Sequence, residues 1–281
     1  MPEPNEGVVK LVNQQQAALL RQENALAKQI AEAYEAARLA LLADFTERFQ
    51  AMGENPEPAA IRQMATNLNL IRAIENRLAL LGREMEGILT GGLQEVGQDG
   101  FEAARVQIDM MAAALGIELP RFAVDPNLEL TIAPAIEQVP GLVSTMQSRV
   151  TATLRESLAS GDRFSTISQT VYGKHQGIWP NGKSSAELMV RRAVIQVNNN
   201  ARMLFYEQAK KSIPGLKKQA IAAIQPDRTT ETCRRVHEQI KELDQPFETT
   251  GKEAFSRWQM QPPFHWICRT TVVAYHDAFT S

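Results

Sequence analysis

The chain has 281 residues, 44% of them hydrophobic and 22% charged, which is typical of a soluble folded protein with a substantial core. The net charge of −2 hides an asymmetry: residues 161–281 carry 17 Lys+Arg and 11 Asp+Glu (+6), and residues 1–160 carry 13 and 21 (−8). The first six residues have no cationic start or apolar run, and no later stretch has the apolar length of a membrane span. We therefore expect a cytosol-like, reducing setting, where two cysteines favour thiols or metal ligands over a disulfide.

The first 92 residues predict two long amphipathic helices. Pro and Gly are absent from about Val8 to Met52, and apolar residues recur there at steps of three and four. A turn over residues 53–58 precedes a second apolar stripe, which ends at Gly91-Gly92. The prediction is a long antiparallel helical hairpin, either a projecting arm or oligomerisation surface, or the longest pair of a helical bundle.

The rest of the chain predicts shorter elements. They are helices over 101–115, 142–159, 165–172 and 184–211, a Pro-rich irregular connector over 117–141, and strands over 216–224 and 269–275 with a helix capped by Thr229 or Thr230 between them. The fold class is therefore mainly α with a small C-terminal α+β module. The predicted parts are an arm over 1–116, the connector over 117–141, a helical middle region over 142–215 and the module over 216–281.

One predicted helix carries polar residues where an apolar stripe should continue. These residues are Arg191, Arg192, Asn198, Asn199, Asn200 and Arg202. Valines and Phe205 supply an apolar stripe on another side of the same helix. The polar block is interpreted as a solvated face, with a binding surface as the alternative.

Four potential metal ligands lie within residues 227–271. Cys233 and His237 are four residues apart on a predicted helix, and His265 and Cys268 are three apart in a turn. Two cysteines and two histidines are the donors of a structural tetrahedral zinc site. Two alternatives stay open: a packed Cys/His core without metal, and a Cys233–Cys268 disulfide formed late.

The same residues argue against catalysis. Four protein ligands would fill the zinc coordination sphere and leave no position for an activated water. Cys233 and His237 would also make a nucleophile and base, but no orienting acid lies at a suitable spacing. The expectation is that the protein is not an enzyme.

The C-terminal third resembles the phage head morphogenesis proteins, the minor head proteins typified by the F protein of phage Mu. The resemblance lies in Asp227-Arg228-Thr229, then Cys233, then Asp244-Gln245-Pro246-Phe247, and finally Pro262-Pro263-Phe264-His265-Trp266-Ile267-Cys268-Arg269. It covers roughly residues 184–275. Two departures are visible: Glu238-Gln239 stands where the family usually has a Gly, and the family's frequent Cys-Arg-Cys ending is Cys268-Arg269-Thr270 here.

The resemblance implies a minor capsid protein of a tailed phage, located in the capsid interior near the portal and in the host cytoplasm before assembly. Its expected partners are the portal protein, the major capsid protein or other copies of itself, and packaged double-stranded DNA, with no membrane before ejection. The residues expected to face DNA are Arg191, Arg192, Lys210, Lys211, Lys217 and Lys218. The alternatives are a zinc-dependent nuclease or hydrolase acting during packaging, and a bacterial helical adaptor protein.

Overall fold

A computed structural model describes residues 6–53, 56–65, 67–123, 127–175, 177–222 and 229–279. The helices are α1 (Glu6–Gln50), α2 (Pro58–Met64), α3 (Leu68–Leu115), α4 (Leu128–Ile136), α5 (Val139–Ser160), α6 (Phe164–Tyr172), α7 (Ile178–Ala209) and α8 (Glu231–Val236). The strands are β1 (Lys217–Ala222), β2 (Ile240–Glu242), β3 (Phe247–Glu248), β4 (Trp258–Gln259) and β5 (Thr270–Tyr275), and a 3-10 turn follows at Asp277–Phe279. The predicted class, mainly α with a small C-terminal α+β module, is confirmed.

Two long antiparallel helices dominate the N-terminal part of the chain. Gln22 of α1 donates to Asp99 of α3 at 2.7 Å, and the earlier Gln15 donates to the carbonyl of the later Ala103 at 3.2 Å. Later residues of α1 therefore contact earlier residues of α3, which makes the two helices antiparallel. None of the helices in the described part of the chain is long and apolar enough to cross a membrane.

The predicted helix end at Gly91-Gly92 is wrong, because α3 continues through these glycines to Leu115. Buried Leu89, Leu93 and Val96 continue the apolar stripe at steps of three and four through the glycines. A helical glycine costs only about 1 kcal/mol relative to alanine, and the burial of several large side chains outweighs that cost.

Two further boundaries differ from the sequence prediction. The connector expected over 117–141 contains α4 and the first turn of α5, although residues 124–126 lie outside the described part. The helix expected to begin at Ser184 begins six residues earlier, at Ile178.

The C-terminal module is built on a three-stranded antiparallel sheet of order β2-β1-β5. The two predicted strands pair with each other, with Lys217 opposite Tyr275 and Ala222 opposite Thr270. Residues 223 and 224 of the predicted first strand, together with Asp227 and Arg228, lie outside the described residues. A short second sheet pairs β3 with β4.

The described chain divides into two compact units. The first contains residues 1–25, 90–134 and 190–281, and its core joins α3, α7 and the sheet through residues such as Phe101, Phe205 and Val272. The second contains residues 26–89 and 135–189 and is helical, with Phe45 stacked on Phe164 at a centroid distance of 5.7 Å. The four consecutive parts expected from the sequence stay a prediction.

The polar block of α7 is not the predicted solvated face, because Asn198, Asn199 and Arg202 are all buried. Arg202 donates to the amide oxygens of Asn198 (3.0 Å) and Gln15 (3.1 Å). Gln107 also donates to Gln15, at 3.0 Å.

This buried network extends from α7 and the two long helices to the sheet. The Gln107 oxygen accepts from the Tyr206 hydroxyl at 2.7 Å and from the Ala274 backbone amide at 3.2 Å. Because buried polar groups need hydrogen-bond partners, the network couples α1, α3, α7 and β5.

The close approach of α3 to α7 gives a stability prediction at two glycines of one helix. A Cβ at Gly100 would lie 2.7 Å from the Asn198 carbonyl oxygen, whereas a Cβ at Gly91 would meet nothing within 4 Å. Gly100→Ala should lower the free energy of unfolding by about 1–3 kcal/mol through this clash. Gly91→Ala should raise it by about 0.5–1 kcal/mol through helix propensity. Urea unfolding followed by circular dichroism measures both, and equal effects would contradict the packing described here.

Candidate functional site: a buried Cys/His cluster

The candidate site lies where α8 meets the loop that leads into β5. Thr230 caps α8, and its hydroxyl accepts from the backbone amide of Cys233 at 3.3 Å. This cap fixes the first turn of α8 and places the Cys233 side chain against the core. His265 and Cys268 come from the loop, where the Cys268 amide donates to the His265 carbonyl at 3.2 Å.

Three of the four predicted ligands come together in this cluster. The Cys233 sulfur lies 2.9 Å from His265 Nε2 and 3.9 Å from the Cys268 sulfur. One ligand atom from each residue lies within 4.8 Å of the others, and all three side chains are buried. Both cysteines are free thiols in this structure.

Two threonine hydroxyls complete the surroundings of the cluster. Thr230 Oγ1 lies 3.0 Å from His265 Nε2, and Thr270 Oγ1 lies 3.3 Å from the Cys233 sulfur. Thr270 occupies the position of the second cysteine in the Cys-Arg-Cys ending that the resembling family often has. Thr270 therefore places a hydroxyl beside Cys233, where a family member with the Cys-Arg-Cys ending would have a third sulfur.

The pKa values of the two thiols are shifted in opposite directions. The hydrogen bond from Cys268, followed by those from His265 and Thr270, holds the pKa of the Cys233 thiol well below its ordinary value, despite burial. Burial, together with the neighbouring Cys233 sulfur, raises the pKa of Cys268 well above its ordinary value. The arrangement therefore favours a Cys233 thiolate that accepts a hydrogen bond from a protonated Cys268.

These residues fit a zinc ion in donor type and approximately in spacing. Zinc–sulfur bonds of about 2.3 Å in a tetrahedron place two sulfurs about 3.8 Å apart, close to the 3.9 Å between Cys233 and Cys268. The Cys233–His265 distance of 2.9 Å would have to widen by about 0.7 Å to match a tetrahedral edge between sulfur and nitrogen. Cys233, His265 and Cys268 would hold the ion, and it would crosslink α8 to the loop before β5.

His237, the fourth predicted ligand, is not brought into the cluster. His237 was predicted to lie on the same helix as Cys233. In the structure α8 ends at Val236, and His237 is its C-cap. His237 Nδ1 instead accepts from the backbone amide of Ala222 at 3.3 Å. The next residue, Glu238, has a left-handed φ of 65°, which explains why a glycine suits this position in the resembling family.

The position of His237 outside the cluster leaves three potential protein ligands instead of four. With three Cys/His ligands, the coordination sphere is not filled in the way the sequence argument assumed. The case for a structural cluster now rests on burial, because Cys233, His265 and Cys268 are all enclosed in the core of the first unit. A buried cluster suits a structural crosslink better than an open catalytic metal position.

The structure gives the six basic residues predicted to face DNA different environments. Lys210 and Lys211 are exposed, and Lys217 forms an ion pair with Asp277 at 2.8 Å. The Arg191 guanidinium lies 3.6 Å from the buried Glu23 carboxylate, and that of Arg192 packs over two aromatic rings.

The prediction that Lys218 faces DNA is wrong, because its side chain is fully buried and cannot contact a phosphate. Side chains of β1 alternate between the two faces, so Lys218 shares the inner face with Ala220 and Ala222. Its amine donates to the carbonyls of Leu243 (2.9 Å) and Met260 (2.8 Å). Burial lowers the pKa of Lys218 to about 8.

The Cys/His cluster lies in a part of the chain that matches a known protein family. Residues 148–273 match the family model described as Phage Mu protein F like protein. The match confirms the resemblance predicted from the sequence. It begins within α5 and ends within β5, so it includes α6, α7 and the whole Cys/His cluster. Neither the comparison with curated proteins nor the comparison with solved structures gives a significant match.

The buried Lys218 predicts that its contribution to stability depends on pH. Its pKa is about 8 in the folded protein against an ordinary value of 10.5, so between these values the unfolded chain binds more protons at this position. The free energy of unfolding should therefore rise with pH in this window, because stability increases wherever the unfolded state holds more protons. The neutral amine keeps N–H donors for both carbonyls.

Comparison with Lys218→Met isolates this effect from the other groups that titrate. Urea unfolding at about pH 7.5 and about pH 9.5 gives the stability of both proteins. The stability of the wild type relative to the variant should increase by on the order of 1 kcal/mol between the two pH values. A difference that stays constant or falls would contradict the assignment of a depressed pKa to Lys218.

Proposed function

We propose that this protein is a structural minor head protein of a tailed bacteriophage, acting in head morphogenesis. The observation that carries the proposal is the match of residues 148–273 to the Phage Mu protein F like family. That region contains the Cys/His cluster and the sheet that the cluster adjoins. A structural role rather than an enzymatic one agrees with the family and with the burial of the chemically reactive side chains.

Within the head, the protein associates with the portal on the interior side of the capsid. The antiparallel pair α1 and α3 supports this assignment, because helices of 45 and 48 residues offer extended surfaces to a large partner or to neighbouring copies. The portal protein and the major capsid protein are the proposed partners. In this position the protein contributes to packaging or ejection of the genome.

Contact with packaged DNA is non-specific in this proposal. The exposed Lys210 and Lys211 are the sequence-predicted residues that remain best suited to phosphate contact. Neutralisation of phosphates by lysines does not depend on base sequence and weakens with salt. Both properties suit a protein that meets any part of a genome.

The Cys/His cluster is assigned a structural zinc ion held by Cys233, His265 and Cys268. The ion would fix the loop before β5 to α8 and would stabilise the two thiolates that burial otherwise disfavours. Its contribution is to the stability of the C-terminal module, and no reaction step is assigned to it.

The association with the head is tested by expressing the protein with its phage's portal and major capsid proteins and purifying assembled heads. The wild type should copurify with portal-containing heads at a fixed ratio. Cys233→Ser should reduce its incorporation, because the variant weakens the module that the family match identifies, whereas His237→Ala should not. Absence of the wild-type protein from purified heads that contain portal would overturn the proposal.

The zinc assignment predicts a ranked set of metal contents in protein purified under reducing conditions without chelator. The wild type should bind close to one zinc per chain, and Cys268→Ser should lose it. His237→Ala should keep it, since His237 lies outside the cluster. Thr270→Cys should bind zinc about tenfold or more tightly, because it places a third sulfur beside Cys233.

Atomic emission measures the bound zinc, and competition with a chromophoric chelator measures the affinity. Free alkylation of Cys233 in the folded wild type, together with no bound zinc, would contradict the metal assignment. It would leave the packed Cys/His core as the correct interpretation.

A further inference from the structure

The loop that carries His265 and Cys268 exposes the residues between them. Because those two side chains turn into the core, Trp266 and Ile267 face outward and are 58% and 52% exposed. Phe255, itself 38% exposed, packs edge-on against Trp266 with ring centroids 5.3 Å apart. Large apolar side chains exposed together are typical of interaction sites.

One arginine, Arg192, lies against this apolar surface. The Arg192 guanidinium lies 5.0 Å from the ring centroid of Phe255 and 5.1 Å from that of Trp266. We call Arg192, Phe255, Trp266 and Ile267 the Arg–Trp patch. Tryptophan and arginine are the residues most enriched at the energetic centres of protein interfaces.

The surroundings of the patch carry excess positive charge. Arg191 and Arg269 both approach one carboxylate, that of Glu23, at 3.6 Å and 3.8 Å. Two guanidinium groups, those of Arg191 and Arg269, therefore share one buried carboxylate, and Arg192, which adjoins Arg191 in the sequence, adds a third positive charge. A partner for this surface should be both acidic and apolar.

The same chain carries a surface with that chemistry on α3. Glu102, Val106, Asp109 and Met110 follow one another at helical spacing, and all four are exposed. Val106 is 39% exposed and Met110 is 37% exposed. Glu102 also pairs with Arg105 at 2.6 Å, so with Asp109 this exposed part of α3 carries a net charge of −1. We call these four residues the acidic stripe.

We propose that the Arg–Trp patch of one copy binds the acidic stripe of a second copy. The two surfaces are different, so the contact is heterologous, and repetition of it joins copies head to tail into a ring or a filament. Phosphates of DNA would satisfy the arginines but would leave Trp266 and Ile267 without an apolar partner. The contact is independent of the proposed role in the phage head, and a failure of one leaves the other standing.

Charge reversal on the full chain tests this contact, with light scattering after size-exclusion chromatography at rising protein concentration. The wild type should increase in mass with concentration. Arg192→Glu and Asp109→Arg should each weaken self-association about tenfold or more, since each places like charges together. The double variant, with both substitutions in one chain, should restore it. Trp266→Ser should weaken it without changing any charge.

Arg155→Glu on the exposed face of α5 is the matched control and should leave self-association unchanged. Circular dichroism checks that each variant is folded. If Arg192→Glu does not fold, Asp109→Arg still tests the contact, because Asp109 is exposed on the surface. A wild type that stays monomeric would overturn the proposal, as would a double variant that stays dissociated. Loss of binding to DNA or anionic vesicles in Trp266→Ser, with a monomeric wild type, would assign the patch to that other partner.

Discussion

The side-chain amide of Asn199 fixes the helix α7 to the strand β5, and the position of the Cys/His cluster depends on this contact. Its nitrogen donates to the carbonyl of Ile195 at 2.8 Å and to that of Thr270 at 3.3 Å, and its oxygen accepts from the amide of Val272 at 2.7 Å. The residue is fully buried, so each of these bonds replaces one that water would otherwise make. Asn199 thereby fixes the start of β5, which carries Thr270 beside the Cys233 sulfur. A hydrophobic residue of similar size would fill the space and leave two backbone groups of a sheet edge without partners.

The cluster and the exposed patch have a common cause in the conformation of the loop before β5. His265 and Cys268 are three residues apart and both turn inward, so the two residues between them have to face solvent. The same turn that assembles the thiols therefore creates the apolar surface of Trp266 and Ile267. Loss of the cluster would disturb both features, which is why the tests of the patch use substitutions outside the cluster.

Apolar periodicity predicted the long helices, and alternation and β-branched residues predicted the last strand, because a stripe at a fixed spacing reports burial directly. It could not predict that α3 continues through Gly91-Gly92, because the packing that offsets the cost of glycine comes from other helices. The burial of Asn198, Asn199 and Arg202 was missed for a similar reason. Their partners come from distant parts of the chain: Arg202 bonds to Gln15, and Asn199 bonds to Thr270 and Val272.

The candidate site was predicted in part for the same physical reasons. The spacing of the Cys and His residues predicted all four ligands, and the family signature supports Cys233, His265 and Cys268, whereas His237 rests on helical spacing alone. That spacing holds only while the helix lasts, and α8 ends one residue before His237. The two threonines beside the cluster were not predicted as site residues. Thr270 was detectable, since it stands where the family often has a cysteine.

The excess of basic residues in the C-terminal half overstates the positive charge that reaches the surface. Lys218 is buried against two backbone carbonyls, and the hydrogen bonds of buried Arg202 go to uncharged amide oxygens. Arg191 and Arg269 approach one shared carboxylate. Part of the count of +6 is therefore used to organise the interior, while Lys210 and Lys211 are among the basic residues of this half that are exposed. Arg192 lies over two aromatic rings, which is why a protein partner is assigned to its surface, and the exposed Lys210 and Lys211 are assigned a phosphate partner.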